Sequence, residues 1–162
     1  MPNIVISNTT PIITLLGIER LELLKDLYTE IMIPTAVAKE IEAGKDKNAY
    51  IDLKQLDWIK IQEVKDKTLF DYLLNDLDEG EAAVIALAQE LVADLLIIDE
   101  KLARKYAQLK GFTCVGTLSI LLKAKEKGLI AHLKPLLAQM QTNGIWLAET
   151  LIAQILTQAN EN

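Results

Sequence analysis

The chain of 162 residues holds one cysteine, Cys114, and one histidine, His132. A single cysteine excludes a disulfide framework and a cysteine-rich zinc site, and it fits a reducing, cytoplasmic setting. A single histidine argues against a histidine-dominated metal centre and leaves a nucleophilic triad only one candidate base. Aromatic residues make up 5% of the chain, so Trp58 and Tyr50 read as packing residues rather than a base-stacking platform. No apolar run approaches the ~20 residues of a membrane helix. The run Ala93 to Ile98 is broken by Asp94. Met1-Pro2-Asn3-Ile4-Val5-Ile6-Ser7 lacks a basic flank, so neither a signal peptide nor a membrane association is expected.

What is present suits one globular domain. Hydrophobic residues make up 51% and charged residues 25%, and 17 basic against 23 acidic side chains give a net charge of −6. That balance is too apolar for disorder. The length suits a single domain of roughly 100–200 residues with a core of its own.

Short β-branched runs alternate with helical patterns. Ile4-Val5-Ile6, Ile31-Met32-Ile33, Leu95 to Ile98 and Phe112 to Val115 read as buried strands, and Trp58 to Val64 as a half-exposed edge strand. Helices are expected near 10, over 21–28, 35–43, 66–77, 80–92, 100–109, 117–127, 130–142 and 147–158. Residues 45–57 read as a polar, partly helical excursion. The pattern predicts a three-layer α/β/α domain over 1–158 with a central parallel sheet. Its core spans about 3–128, extra C-terminal helices cover about 130–158, and 159–162 form a frayed polar tail. Cys114 is expected as a small core side chain and His132 at the surface.

Charge is segregated along the chain. Residues 71–100 carry nine acidic residues and no Lys or Arg, whereas 101–127 carry seven basic residues against Glu126 alone. Such neighbours suit a site that holds a cation and steers a polyanion, although two solvated helix faces would look the same.

In a parallel α/β sheet, ligands gather beyond the carboxyl ends of the strands. Asn8 follows the first strand there and Asp99 follows the strand 95–98. Glu81 lies in the first turn of its helix, at the same sheet edge. Glu40, three residues after Val37, borders the packed face of its own helix. Each has a plainer reading: Glu81 complementing the helix dipole, Asp99 or Asn8 capping a helix, Glu40 at the surface. Together, three carboxylates would repel one another, and a divalent cation would relieve that repulsion. Oxygen ligands of this type suit Mg²⁺ or Mn²⁺. Lys101, Arg104 and Lys105, just past Asp99, are candidate contacts to the phosphates of a polyanion.

These residues carry a family resemblance. Ile4-Val5-Ile6-Ser7-Asn8-Thr9-Thr10-Pro11-Ile12-Ile13 resembles the opening of PIN-domain ribonucleases. So do Ile33-Pro34 with Val37 and Glu40, the stretch Leu77-Asp78-Glu79-Gly80-Glu81-Ala82, the run Leu96 to Asp99, and Val115-Gly116-Thr117-Leu118. The whole is similar to the group related to the toxins of toxin–antitoxin pairs. The resemblance implies a metal-dependent endoribonuclease with Asn8, Glu40, Glu81 and Asp99 as metal ligands. It makes Glu40, Glu81 and Asp99 the catalytic carboxylates and Thr10 a supporting residue. It further implies an RNA substrate, a small antitoxin partner and a homodimer. Two positions depart from the pattern. Asn8 stands where Asp is usual, and Ile97 stands where Thr or Ser is common. An amide oxygen can ligate Mg²⁺ but adds no charge, so a catalytically impaired nucleic-acid- or partner-binding module is the alternative. Nucleotide chemistry on a flavodoxin-like sheet is disfavoured, because no glycine-rich phosphate loop follows the first strand.

Overall fold

The computed structural model describes residues 3–162; Met1 and Pro2, the start of the expected domain, lie outside it. Five short strands form one parallel sheet: β1 (Val5–Ser7), β2 (Ile31–Pro34), β3 (Ile59–Gln62), β4 (Leu95–Ile97) and β5 (Cys114–Val115). Their order is β3-β2-β1-β4-β5. Nine α-helices are described: α1 (Thr9–Gly17), α2 (Glu22–Tyr28), α3 (Thr35–Ala43), α4 (Lys67–Leu73), α5 (Glu79–Leu91), α6 (Lys101–Leu109), α7 (Thr117–Glu126), α8 (Lys134–Thr142) and α9 (Glu149–Gln158). They complete the expected three-layer arrangement.

The central strands form where β-branched and leucine side chains are buried on both faces. Val5, Ile6, Ile31, Ile33, Leu96 and Ile97 are all nearly inaccessible, which is the signature of a covered parallel sheet. Fully burying one such side chain is worth roughly 1.5–3 kcal/mol. At the sheet's end, β3 exposes Lys60 and Ile61, as an edge strand does. At the other end β5 is shorter and wetter than expected. Only Cys114–Val115 pair, and both are half-buried, so Cys114 is not a full core residue. Edge position explains this, because one flank of β5 has no strand against it.

Helix α5 sets the geometry of the site. Gly80 through Ala88 are buried without interruption, so the helix is apolar all round and threads the core. It packs against α3, α4 and α6 and beneath β1 and β2. Its N-terminus is fixed by a capping box: Asp78 Oδ1 accepts from the Glu81 amide at 2.8 Å, and Glu81 Oε1 accepts from the Asp78 amide at 3.1 Å. The start of this helix therefore cannot swing, and Glu81 is held with it.

The C-terminal helices begin a few residues later than their patterns suggest, at Lys134 and Glu149. Ile155 is buried, while Ile145, Leu147, Ile152 and Leu156 pack half-buried on the core. The tail is anchored rather than frayed. The Glu161 carboxylate accepts from the Leu133 and Lys134 amides at 2.7 and 3.0 Å and pairs with Lys125 at 2.9 Å. It thereby satisfies two donors at the start of α8 that have no intrahelical partner. His132 is solvent-exposed, as expected, and no described helix is long and apolar enough to cross a membrane.

Candidate active site

The chain runs from β1 toward β2 on one side and reaches β4 on the other, so the strand order reverses between β1 and β4. That switch point opens a crevice at the strands' carboxyl ends. Register brings the predicted residues to it. Ser7 pairs with Ile97, and the Asn8 amide donates to the Ile97 carbonyl at 2.9 Å, so Asn8 and Asp99 lie just past two adjacent strands. Helices α3 and α5, which pack together, bring Glu40 and Glu81 to the same mouth.

Glu40 is half-buried, and Thr9 Oγ1 donates to its Oε2 at 2.8 Å. It lies so close over α5 that a Cβ at Gly80 would come within 2.4 Å of Glu40 Oε1. Only glycine leaves that carboxylate its place. Burial pushes the Glu40 carboxyl above its ordinary range against the pull of the Thr9 hydroxyl, and the charges of Asp78 and Glu79 push it further. Glu81 is raised mainly by burial. The Asp78 amide opposes this, and the charges of Asp78, Glu100 and Glu40 add to it.

Asp99 is held from the far side. Its Oδ1 accepts from the Thr117 amide and its Oδ2 from the Thr117 hydroxyl, both at 2.7 Å. A Cβ at Gly116 would come within 2.8 Å of Oδ1. Burial raises the Asp99 carboxyl, the two Thr117 bonds counter it, Glu100 raises it again and Arg104 opposes. Ile97, where a hydroxyl residue is common, is fully buried in β4. The hydroxyl that steadies Asp99 comes from Thr117 instead.

The four predicted ligands thus share one mouth without closing on a point. Among the described residues, no three Asp, Glu, His or Cys side chains stand close enough to enclose a metal ion. Thr117 holds Asp99 to one side, and the residue that occupies the middle is Glu100. It accepts from Asn8 Nδ2 at 3.2 Å and from Thr10 Oγ1 at 2.9 Å, and its charge is felt by both Glu81 and Asp99. Thr10 thus reaches the mouth through its bond to Glu100. Glu100, Thr9 and Thr117 were not singled out by sequence reasoning. The Asp99-Glu100 pair at the end of β4 was the available signal.

Asn8 is only 3% exposed, and its amide oxygen Oδ1 is buried with no hydrogen-bond partner. A buried acceptor left unsatisfied costs roughly 1–3 kcal/mol, so it calls for a cation or donor. Lys101 and Lys105 are exposed on the first turns of α6. Arg104 is half-buried beside Gly116, where its charge acts on Asp99.

A sequence model described as a PIN domain matches residues 4–161. The chain belongs to the PIN-domain family. This PIN domain is similar in fold to a PilT N-terminus domain protein from the hyperthermophilic archaeon Sulfolobus solfataricus P2. The two share 21% identity at a TM-score of 0.55, over 75% of this chain and 92% of the other. No curated protein sequence matches the chain significantly.

Proposed function

We propose that this PIN domain is a divalent-metal-dependent endoribonuclease, with Mg²⁺ or Mn²⁺ as its ion. One observation carries the reading: carboxylates from α3, α5 and the end of β4 face one mouth at the β1/β4 switch point, within electrostatic reach of one another and beside a buried, unpartnered amide oxygen of Asn8. The donor set is all oxygen, which suits a hard cation. The absence of a ready-made trio is compatible with Mg²⁺, which is commonly held through one or two carboxylates and keeps several waters. Asn8 Oδ1 with Glu40, Glu81, Asp99 and Glu100 would hold the ion. Bound there, it would supply Lewis-acid stabilisation and an activated water for phosphodiester hydrolysis.

The chain's own residues fix the geometry for that chemistry. Thr117 orients Asp99, Thr9 orients Glu40, and Thr10 with Asn8 Nδ2 orients Glu100. The capping box immobilises Glu81. Lys101 and Lys105 would hold RNA phosphates near the centre, with Arg104 between them and Asp99. No histidine is required. RNA cleavage in MnCl₂ by wild type and Asp99→Asn tests the proposal. The expected result is loss of cleavage in the variant; equal cleavage by both would assign the activity to a contaminant.

A second reading, an impaired module that binds RNA or a partner without cutting, is favoured by Asn8 itself, whose Nδ2 already serves Glu100. Under that reading Asn8→Asp raises Mn²⁺ affinity in calorimetry, and the unmodified protein neither binds Mn²⁺ tightly nor cuts RNA. The toxin role, with a small antitoxin partner and a homodimeric state, belongs to the same proposal. Sedimentation reads the dimer.

A further inference from the structure

A groove of about 470 Å³ lies along α1, past Thr10, Ile13, Thr14 and Gly17. One end is Thr10, whose hydroxyl is bound to Glu100. One wall is the segment after α3, with Lys47 and Asn48; the other is the turn between α8 and α9, with Asn143 and Ile145. The turn is pinned to α1, because Asn143 Nδ2 donates to the Gly17 carbonyl at 2.9 Å. That bond makes the wall a fixed part of the body. The charge of the groove is out of character for this chain. None of its lining residues is acidic and one is a lysine, on a protein with a net charge of −6. The next residue along the turn, Trp146, is 84% exposed, the most exposed large hydrophobic side chain among those described. The other tryptophan, Trp58, is 7% exposed and belongs to the core.

An indole left in water, one residue along the chain from the lining of an acid-free groove whose Thr10 end is hydrogen-bonded to Glu100, has the chemistry of a single-strand contact. Base stacking on an aromatic face is sequence-tolerant, and a nearby ammonium serves the backbone phosphate. Unpaired bases are also where RNA recognition is concentrated, through aromatic stacking and hydrogen bonds to base edges. Amide and hydroxyl groups of Asn48, Asn143 and Thr14 are the edge-reading candidates. We propose that this groove, together with Trp146 next to its Ile145 wall, receives nucleotides of single-stranded RNA flanking the phosphate at the carboxylate centre. The proposal rests on the ribonuclease reading for its substrate class but not on metal chemistry. A folded or helical protein partner on the same surface is the rival occupant.

The test uses a 2′-O-methyl single-stranded oligoribonucleotide of mixed sequence, titrated with Mg²⁺ and again in EDTA. Tryptophan emission is read together with anisotropy of a label on the oligonucleotide. The expected result is quenching in wild type. Trp146→Phe should bind with nearly unchanged affinity by anisotropy and show no quenching, since Trp58 is buried. Trp146→Ala should weaken binding about five-fold or more, with an unchanged far-UV dichroism spectrum. Lys47→Ala should weaken it further and flatten the salt dependence. Unquenched emission in wild type, or equal affinity for Trp146→Ala, would overturn the proposal. The two readings fail separately. Quenching without Mn²⁺-dependent cleavage keeps the groove and removes the nuclease, and cleavage lost in Asp99→Asn but unaffected by Trp146→Ala keeps the nuclease and removes the groove.

Discussion

Glu81→Gln reverses its effect on stability according to whether metal is present. Without metal, the wild-type carboxylate is buried at 9% exposure among Asp78, Glu100 and Glu40. Each like-charged neighbour in a partly solvated site opposes ionisation by on the order of 1 kcal/mol, and desolvation adds to that. Two effects favour the charge: the charge-assisted bond to the Asp78 amide at 3.1 Å, and the position in the first turn of α5. Glutamine keeps the bond through its amide oxygen, so the loss is about half of a charged hydrogen bond plus a dipole contribution, roughly 1–2 kcal/mol together. The raised carboxyl says the opposing group of effects is the larger, which leaves a net gain of about 1 kcal/mol, or ~2–4 °C for a chain of this size. With Mn²⁺ at about 100 times its dissociation constant, wild type gains about 2.7 kcal/mol, and a ten-fold weaker variant forfeits about half of that. Thermal unfolding followed by circular dichroism at pH 7, in EDTA and in saturating MnCl₂, should therefore show the two curves exchanging order. The pH dependence is equally defined. A carboxyl raised by folding contributes stability that is fully present below the unfolded value and is lost as pH rises through the folded value. The advantage of the glutamine variant in EDTA should accordingly vanish on acidification. A variant clearly less stable than wild type in EDTA, or an equal response of both to Mn²⁺, refutes the reasoning.

Three further outcomes follow from single contacts. Glu161 is pushed up by burial but pulled more strongly down, to about 2, by the Leu133 and Lys134 amides and Lys125. Its contribution is therefore present above the unfolded carboxylate range and lost as pH falls toward 2, and Glu161→Gln lowers stability at pH 7 by about 2 kcal/mol after solvent screening, a gap that closes on acid titration. Gly80→Ala places a methyl 2.4 Å from Glu40 Oε1, so it displaces that carboxylate while suiting a helix; RNA cleavage drops about 10- to 100-fold with little change in melting temperature. Val92, exposed at 77%, ends α5 with φ at 53°, a left-handed conformation that costs a β-branched residue roughly 1–2 kcal/mol. Val92→Gly accordingly raises the melting temperature by about 2–4 °C, measured by calorimetry.

The sheet and the placement of Asn8, Glu81 and Asp99 at one edge were legible in the sequence because they depend on local signals, whereas Glu40 joined them only through the family resemblance. Buried runs such as Ile4-Val5-Ile6 and Leu95 to Ile98 have no polar alternation, and Asp78, Glu79 and Gly80 mark the start of α5. Side-chain aim was not legible. Asp99 turns toward Thr117, 18 positions away, and Glu100 takes the middle of the mouth through partners 90 and 92 positions distant. Such bonds leave no periodic trace. The tail after Gln158 reads as frayed because it is polar, yet a single carboxylate, Glu161, finds two backbone donors and a lysine once α8 is formed. The extent of β5 was overread for a related reason: an apolar run states that a segment is partly buried, not that it has strands on both sides.

The most direct test of the central claim is anomalous diffraction from crystals soaked in MnCl₂. The account predicts a manganese peak within ligand distance of Asn8 Oδ1, with carboxylate oxygens from Glu81, Glu40, Asp99 or Glu100 completing the sphere alongside waters. A clean map at the β1/β4 mouth at saturating Mn²⁺, or a peak elsewhere on the molecule alone, would contradict it.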